Sequence, residues 1–449
     1  MKPAVRRILL SAVAIVVVAA IVGIWIVRGP GPMEFAKGEK VVLADYKAGD
    51  PTGVPASLAK ASLVEQGAYL ARAADCEGCH TSQGGKAFAG GLAIRLPFGT
   101  LYSTNITPDK ETGIGNYSDQ DFLNAVHRGI RRDGARLYPA MPFTSYTYLT
   151  DADALAIKAY LFSLPPARAV ASADTLLFPF NQRWAMSFWS ALFNSNTRFA
   201  PDASQSPEWN RGAYLAEALA HCGECHTPRS LVLALNNRRK FAGAVTAGWR
   251  AFNISSDKTT GIGGWRDDDL AAYLSIGHAD GHGTASGPMG EAVDHSFSRL
   301  APEDVRAMVA YLRTVPAIAS PDLPASLAPP APASHKDGGG TPDPRGKMVF
   351  EGACVSCHGW SGQSPISPFA TLTGAWAVND PSATNVAQIV ISGTRRYTPP
   401  DAMSMPAFGN AYSDAEIAAV VQYVTSRFGA KASQITAEGV AELRKQTSQ

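Results

Sequence analysis

The sequence has few cysteines, almost no net charge and few long apolar runs, and each shortage excludes a class of protein. All six cysteines lie in three short motifs, so none is left over for a structural disulfide. The 40 basic residues are balanced by 38 acidic ones, which argues against a nucleic-acid-binding protein. We find no nucleotide-binding glycine-rich loop and no Ser/His/Asp set. At 449 residues the chain is long for one core, so we expect several domains.

The single long apolar run stands at the N-terminus. A basic leader precedes twenty uncharged residues, Ile8 to Val27, which are enough to span a membrane as a helix. The leader predicts a cytoplasmic N-terminus and an exported remainder. A cleaved signal peptide is the alternative, but Trp25 and Ile26 stand where small residues would be expected at a cleavage site. We therefore favour an uncleaved membrane anchor over residues 1–30.

Three segments share the pattern Cys-x-x-Cys-His. The cysteine pairs are Cys76 and Cys79, Cys222 and Cys225, and Cys354 and Cys357, and they are followed by His80, His226 and His358. This pattern is the attachment signature of a c-type haem. Two thiols at this spacing reach the two vinyl groups of one porphyrin, and the next residue places an imidazole under the iron.

Two other uses of paired cysteines fit this sequence less well. A zinc site needs four ligands, so three pairs would leave one pair without a partner. A redox dithiol does not require a histidine directly after its second cysteine. The sequence therefore predicts three covalently bound haem c groups, with the three histidines as proximal iron ligands.

Each motif is followed by a glycine and then, at a fixed distance, by a methionine. Amphipathic segments end at Gly129, Gly277 and Gly393, and glycine is a common residue just past a helix. Met141, Met289 and Met405 each lie 12 positions after these glycines. A thioether sulfur is a soft ligand suited to the distal side of haem iron. We predict these methionines to be the distal ligands.

The rival ligands break the shared register. Methionine is more often core filler than a ligand, and Met403 competes with Met405 for the third iron. Four histidines could also bind iron in principle, but none recurs across the repeats. They are His127, His278, His282 and His295.

Other segments repeat in the same order along the chain. Short helices with an aromatic side chain for the core are predicted before each motif, at Gly67–Ala71, Gly212–Ala216 and Gly346–Phe350. The loop Asn105–Lys110 matches Asn253–Lys258. Both loops contain a glycosylation sequon, but their repetition at equivalent sites favours a structural loop.

Each repeat closes with a helix. Thr150–Asp153 and Ser413–Glu416 predict capping boxes at two of these helices, and Pro302 predicts a first turn at the third. The inner faces carry Tyr160, Tyr311 and Tyr423, which we expect to pack on the first helix of each repeat.

The segments between the repeats differ in composition. Residues 317–343 are rich in Pro, Ala, Ser and Gly and predict an extended spacer. Residues 169–206 carry a cluster of aromatics, including Phe178, Trp184 and Phe188. This cluster predicts either a packed crossover or a docking surface for a partner or the membrane. After Gly429 the tail predicts a short surface helix.

The threefold order of haem motif, glycine, methionine and closing helix resembles three class I cytochrome c domains in tandem. Over roughly residues 60–430 the chain is similar to the triple-haem cytochrome c subunits of bacterial membrane-bound dehydrogenases for alcohols, aldehydes and gluconate. The most specific marks are Tyr138–Phe143, Phe178–Trp184 and Met405–Phe408. The resemblance implies an all-α fold. The transmembrane helix in front of it is predicted from the apolar run alone and departs from the family pattern, since some such subunits have a cleaved signal and a C-terminal membrane contact. Its domains would be module 1 (60–168), module 2 (207–316) and module 3 (342–429).

The resemblance also implies an electron-transfer subunit rather than a catalytic one. Such proteins pair with a dehydrogenase subunit of quinoprotein, flavoprotein or molybdenum type, on the periplasmic side of the bacterial inner membrane. Electrons pass through the haems to ubiquinone or a terminal oxidase. Two alternatives stay open. One is a haem enzyme, such as a peroxidase or sulfur-compound oxidase, with a displaceable distal ligand; the other is a cytochrome subunit of a respiratory oxidase.

Overall fold

The computed structural model describes residues 3–31, 39–42, 53–320, 343–396 and 403–447. Helices dominate these ranges, as predicted. Five two-stranded antiparallel ribbons accompany them, which the all-α expectation did not include. Most of the predicted spacer at 317–343 lies outside the described residues.

The N-terminal helix α1 (Pro3–Arg28) is long and apolar enough to cross a membrane. Its most apolar 18-residue window, within Val5–Arg28, has a mean hydropathy of 2.9, and none of that window is buried in the protein. A membrane-spanning helix and an N-terminal signal sequence both have this kind of length and composition.

The remaining helices follow the predicted order. Module 1 contains α2 (Leu63–Ala73), α3 (Cys76–His80), α4 (Asp119–Arg128), α5 (Phe143–Tyr146) and α6 (Asp151–Ser163). Helix α7 (Met186–Phe193) lies between modules, and module 2 contains α8 (Pro207–Tyr214), α9 (Gly223–His226), α10 (Asp267–Ile276), α11 (Gly287–His295) and α12 (Pro302–Leu312). Module 3 contains α13 (Pro344–Val349), α14 (Val355–His358), α15 (Trp376–Asn379), α16 (Thr384–Ser392) and α17 (Asp414–Phe428), followed by α18 (Ala437–Gln446).

The ribbons are short and local apart from the first. Strand β1 (Glu39–Val42) pairs with β4 (Thr197–Ala200), so it joins the segment after α1 to the segment between modules 1 and 2. The others are β2 (Ala93–Leu96) with β3 (Gly99–Tyr102), β5 (Ala244–Thr246) with β6 (Trp249–Ala251), β7 (His278–Ala279) with β8 (Gly283–Thr284), and β9 (Thr394–Arg396) with β10 (Met403–Met405).

In each module the first helix packs on the closing helix, α2 on α6, α8 on α12 and α13 on α17. The crossing explains the glycine that opens each repeat. A Cβ atom on Gly67, Gly212 or Gly346 would lie 1.8, 1.8 or 2.2 Å from a carbonyl oxygen of the closing helix, and 3.0 Å from the Cβ of the predicted inner tyrosine. These distances are too short for any side chain, so the helices can approach this closely only at glycine.

Modules 1 and 2 share one continuous hydrophobic cluster, whereas module 3 has a cluster of its own. Two reciprocal hydrogen bonds join the first pair. The Tyr69 hydroxyl donates to the carboxylate of Asp304 in module 2, and the Tyr214 hydroxyl donates to Asp153 Oδ2 in module 1 at 2.6 Å. Because each module supplies one donor and one acceptor at equivalent positions, the two modules are related by an approximate twofold arrangement.

The capping predictions are confirmed in module 3 and only half confirmed in module 1. Ser413 and Glu416 form a complete capping box. The Thr150 hydroxyl accepts from the N–H of Asp153 at 3.0 Å, but the Asp153 carboxylate accepts from Tyr214 instead of returning to the cap. The backbone N–H of Thr150 donates to the Tyr214 hydroxyl at 3.0 Å. The partner module therefore takes the place of the missing half of the box.

Module 3 is attached to module 2 by different contacts. The buried Arg396 guanidinium donates to Asp294 Oδ1 at 2.9 Å and to the Ala285 carbonyl at 3.2 Å. The N–H of Trp376 donates to the His282 carbonyl at 3.0 Å. None of these contacts has an equivalent between modules 1 and 2, so this interface is not a repeat of the first.

The C-terminal helix differs from the short surface helix predicted for the tail. Helix α18 is longer, packs on α17 and buries Val440 completely. Arg444 Nη2 lies 2.7 Å from Asp414 Oδ1 of α17. The helix is therefore part of the third core.

Candidate haem sites

The three motif histidines share one hydrogen-bonding arrangement. Their Nδ1 atoms lie 2.6 Å from backbone carbonyl oxygens, His80 from Thr104, His226 from Phe252 and His358 from Ala370. A carbonyl oxygen can only accept, so Nδ1 carries the proton and donates it. The Nε2 lone pair is therefore left for a metal, as in second-shell orientation of metal-binding histidines. Burial lowers the pKa of all three imidazoles, which favours this neutral form.

The repeated asparagine loop explains how two of those carbonyls are held. Asn105 and Asn253 follow Thr104 and Phe252 directly and are 3% and 0% exposed. Their Nδ2 atoms donate to backbone carbonyls 2.6 and 2.7 Å away. Neither side chain is accessible for glycosylation, which confirms the structural interpretation of the loop.

The cysteines lie on or just before the short helices α3, α9 and α14. The first cysteine of each motif is one turn before its histidine, and the second directly precedes the histidine. The first cysteine of each motif is partly buried, and burial raises its thiol pKa, to about 12 for Cys76 and Cys222 and to about 11 for Cys354. A redox-active dithiol needs a lowered thiol pKa, so the structure argues against that use.

A cavity of about 810 Å³ joins the second and third motifs. From module 2 it is lined by Cys222, Cys225, His226 and Met289, and from module 3 by Cys354, Cys357, His358 and Met405. It also reaches Cys79 of module 1. Paired thiols, an imidazole with a free lone pair and a thioether in a largely apolar cavity fit a porphyrin with bound iron.

The predicted methionines sit on three different kinds of local structure. Met141 lies in the turn before α5 and packs, like Cys76, against the shared core. Met289 is in the first turn of α11 rather than in a loop, and Met405 ends strand β10. Equal spacing from the glycine therefore does not mean equal backbone conformation.

The structure leaves Met403 as a rival to Met405. Both residues are in β10, and side chains two positions apart in a strand point to the same face. Both line the cavity. The register from Gly393 is the reason to prefer Met405.

Among the rival histidines, His282 lines the cavity. Its ring stacks on Trp265 at 3.7 Å, and its Nε2 lies 3.7 Å from Asp269 Oδ2. His127 is fully buried 3.6 Å from Asp151, and His278 contacts Thr284 and Asp280. His295 ends α11. The cavity lining therefore contains one rival histidine, already engaged by an aromatic ring and a carboxylate.

Sequence reasoning missed the residues directly before the first two motifs. Asp75 and His221 adopt left-handed backbone conformations, with φ of 48° and 39°. Burial, with a smaller contribution from nearby Glu291, raises the pKa of Asp75 to about 8. The His221 ring lies 5.5 Å from Tyr146 of module 1. Both residues stand directly before a cysteine pair, and this equal position is a repeat signal in the sequence. Because neither residue is a glycine, nothing in the sequence indicated a left-handed backbone there.

Sequence reasoning also missed an aromatic contact between the second and third sites. The Trp376 ring lies 5.1 Å from Phe252 and 5.2 Å from Trp265. Phe252 is the residue whose carbonyl accepts from His226, so this contact links module 3 directly to the second haem site. Because Trp376 has no counterpart in the other modules, repeat comparison could not reveal it.

Comparison with known proteins supports the same family. The cytochrome c family model matches residues 64–165 and 344–427. The fructose dehydrogenase cytochrome subunit of Gluconobacter japonicus is 38% identical over 415 residues, which cover 88% of this chain and 85% of that protein. The gluconate 2-dehydrogenase cytochrome c subunit of Pantoea cypripedii is 40% identical over 405 residues, or 86% and 90% of the two chains.

A third relative is the cytochrome c subunit of the quinone-dependent alcohol dehydrogenase of Gluconobacter oxydans. It is 35% identical over 397 residues, which cover 85% of this chain and 82% of that protein. The chain therefore belongs to the family of cytochrome c subunits of dehydrogenases, and covalently bound haem c is its cofactor.

Proposed function

We propose that this member of the dehydrogenase cytochrome c subunits passes electrons from a catalytic dehydrogenase subunit to ubiquinone or a terminal oxidase through three haem c groups. The observation that supports three groups is the repeated histidine arrangement, with an Nδ1-to-carbonyl distance of 2.6 Å in every motif. Each haem would belong to one class I cytochrome c domain, at residues 60–168, 207–316 and 342–429.

The proposed ligands are those of the sequence prediction. The cysteine pairs would form the thioethers, and the iron ligands would be His80 with Met141, His226 with Met289, and His358 with Met405. When bound, the haem iron supplies a reversible one-electron change. The chain's own residues hold the group, orient the imidazoles through the carbonyl bonds and surround the site with apolar side chains. A thioether opposite histidine raises the reduction potential relative to a second histidine.

The three sites follow one another in the order of the chain. The second and third share one cavity, and the first borders that cavity through Cys79. Module 2 contacts both neighbours, so we propose that it connects the outer two sites. We further propose that α1 is an uncleaved anchor in the bacterial inner membrane and that modules 1 to 3 lie on its periplasmic side.

Haem content and ligation of the full-length chain, purified from membranes, test this proposal. We expect the intact mass to exceed that of the polypeptide by three haems, and replacement of both cysteines of any one motif to remove one haem. The oxidised protein should contain only six-coordinate, low-spin iron. Two haems per chain, or a high-spin iron that binds peroxide, would contradict the proposal.

A matched pair of variants assigns the third distal ligand. Met405→Leu should remove one of the sulfur-to-iron charge-transfer bands, whereas Met403→Leu should leave all of them. The reverse result would assign Met403. Proteins that co-purify with the chain identify the partner: a dehydrogenase supports the proposed role, and a haem-copper protein would indicate an oxidase subunit.

A further inference from the structure

An exposed apolar surface surrounds α7, between modules 1 and 2. We call it the aromatic face, and its most exposed members are Leu177, Phe178, Phe180, Trp184, Phe188 and Leu231. Each of these side chains is at least 44% exposed. Contiguous exposed apolar side chains of this size indicate a surface that another apolar phase or partner covers.

The aromatic face is built on packed structure. The Phe180 ring stacks on Phe98 with centroids 3.9 Å apart, and the Phe180 carbonyl accepts from the Tyr138 hydroxyl at 2.8 Å. Trp189 Nε1 donates to the Val232 carbonyl at 2.8 Å, which joins α7 to the turn that carries Leu231. The exposed side chains are therefore held in place from beneath.

The end of the proposed anchor lies at this face. Helix α1 contacts α7. Arg238 Nη1 donates to the Ile26 carbonyl at 3.1 Å, and Asn237 Nδ2 donates to the Pro30 carbonyl at 3.0 Å. If α1 spans the bilayer, its last turn lies at the membrane surface. The aromatic face then lies at the same depth, beside the point where the chain leaves the membrane.

The charges around the aromatic face suit anionic headgroups. Residues 175–201, which carry every member of the face except Leu231, contain no Asp or Glu, and the flanking Asp174 is paired with Arg183. The acidic residue nearest to Leu231 in the sequence is Glu224, which is paired with Arg229. Arg28, Arg238 and Arg239 are exposed at the end of α1 and beside it. Tryptophan and phenylalanine are the side chains that favour the bilayer interface, and nearby arginines bind anionic lipids.

We propose that the aromatic face rests on the anionic surface of the bilayer, as a second membrane contact beside α1. The inference rests on the proposed anchor. It fixes which side of modules 1 and 2 faces the membrane. The first methionine turn then lies toward the membrane, because Phe143, two residues after Met141, packs its ring 6.2 Å from that of Trp189.

The test uses the full-length, haem-loaded chain in nanodiscs that contain anionic lipid, with one nitroxide-labelled cysteine at a time. Phe188→Cys reports on the aromatic face. Trp360→Cys is the matched control, because Trp360 is 55% exposed in module 3, outside the elements of that face. Val17→Cys reports on the middle of α1. The measurement is the collision rate of each label with oxygen, which enters lipid, and with an aqueous nickel complex.

At position 188 we expect nickel collisions to fall several-fold below those at position 360, with oxygen collisions raised. Equal accessibility at 188 and 360, with position 17 in lipid, would overturn the inference and leave the anchor intact. An aqueous or missing label at 17 would contradict the anchor itself. If label 188 is aqueous in the chain alone and loses both types of collision when the dehydrogenase is added, the face is a subunit interface and the inference is wrong.

A second measurement avoids substitution altogether. Hydroxyl-radical footprinting of the unlabelled chain in the same nanodiscs should protect Trp184 several-fold more than Trp360. Equal oxidation of the two tryptophans would overturn the inference even if the labelled variants failed to fold.

Discussion

Modules 1 and 2 differ from module 3 in how they use one position, the third residue of the closing helix. In modules 1 and 2 this residue is Asp153 or Asp304, and its carboxylate accepts from a tyrosine of the other module. In module 3 it is Glu416, which completes the cap of its own helix. Where the other modules have the donor tyrosine, module 3 has Met348, which is 61% exposed.

The difference shows that modules with the same fold can contact their neighbours in different ways. A buried carboxylate is stable only with a hydrogen-bonding partner, so each tyrosine–aspartate pair makes one module depend on the other. Modules 1 and 2 share a core as a result, whereas module 3 closes its core by itself. We therefore expect modules 1 and 2 to unfold together and module 3 to unfold separately.

The largest expected effect comes from Asp304→Ala. It removes the fully buried carboxylate that pairs with Arg211 and accepts from Tyr69, so a partly buried cation loses its charged partner. Breaking such a pair costs about 3–5 kcal/mol of unfolding free energy. Hydrogen exchange resolved by peptide should show lost protection in both modules 1 and 2, with module 3 unchanged. A loss of exchange protection confined to module 2 would mean that the shared core does not couple the unfolding of modules 1 and 2.

The next effect tests the helix crossings. Gly212→Ala places a methyl group 1.8 Å from the Ala307 carbonyl oxygen. Overpacking of this kind costs about 3 kcal/mol. The matched variant Gly346→Ala meets the Ala419 carbonyl at 2.2 Å. We expect exchange to rise in modules 1 and 2 for the first variant and in module 3 alone for the second; the same pattern for both would refute separate unfolding.

A smaller effect tests the approximate twofold arrangement. Tyr214→Phe removes the hydroxyl that donates to Asp153 and accepts from the Thr150 N–H, which should cost about 2 kcal/mol. Tyr69→Phe removes the equivalent hydroxyl on the other side, so we expect a loss of similar size. Thermal unfolding with the haem spectrum as a fold control measures both. A loss for only one variant would show that the two hydrogen bonds are not equivalent.

The smallest effect is expected for Glu416→Ala. This change removes half of a solvent-exposed capping box and should lower the free energy of unfolding less than any of the changes above. Exchange should rise in the first turn of α17 and nowhere in modules 1 or 2. A loss of unfolding free energy as large as that for Asp304→Ala would mean that Glu416 and Asp304 have the same structural role.

The sequence predicted those features that repeat. The three histidine motifs, the helix pairs around Gly67, Gly212 and Gly346, and the structural role of Asn105 and Asn253 all follow from equal spacing. Repetition reveals local geometry because the same local contacts are made each time. It could not reveal Trp376 or Arg396, whose partners lie in another module and have no counterpart elsewhere.

The choice among iron ligands divides in the same way. Spacing alone selected Met141, Met289 and Met405 as distal ligands. The strand geometry turns both Met403 and Met405 toward the cavity, so the spacing from Gly393 is still the reason to prefer Met405. The sequence by itself predicted the haem c cofactor and the order of the helices, since thiol spacing and helix periodicity are local properties. Only the tertiary structure decided which modules share a core and which face carries exposed aromatics beside α1. Those outcomes depend on contacts between residues far apart in the chain, such as Tyr69 with Asp304 and Arg238 with Ile26, which no local pattern encodes.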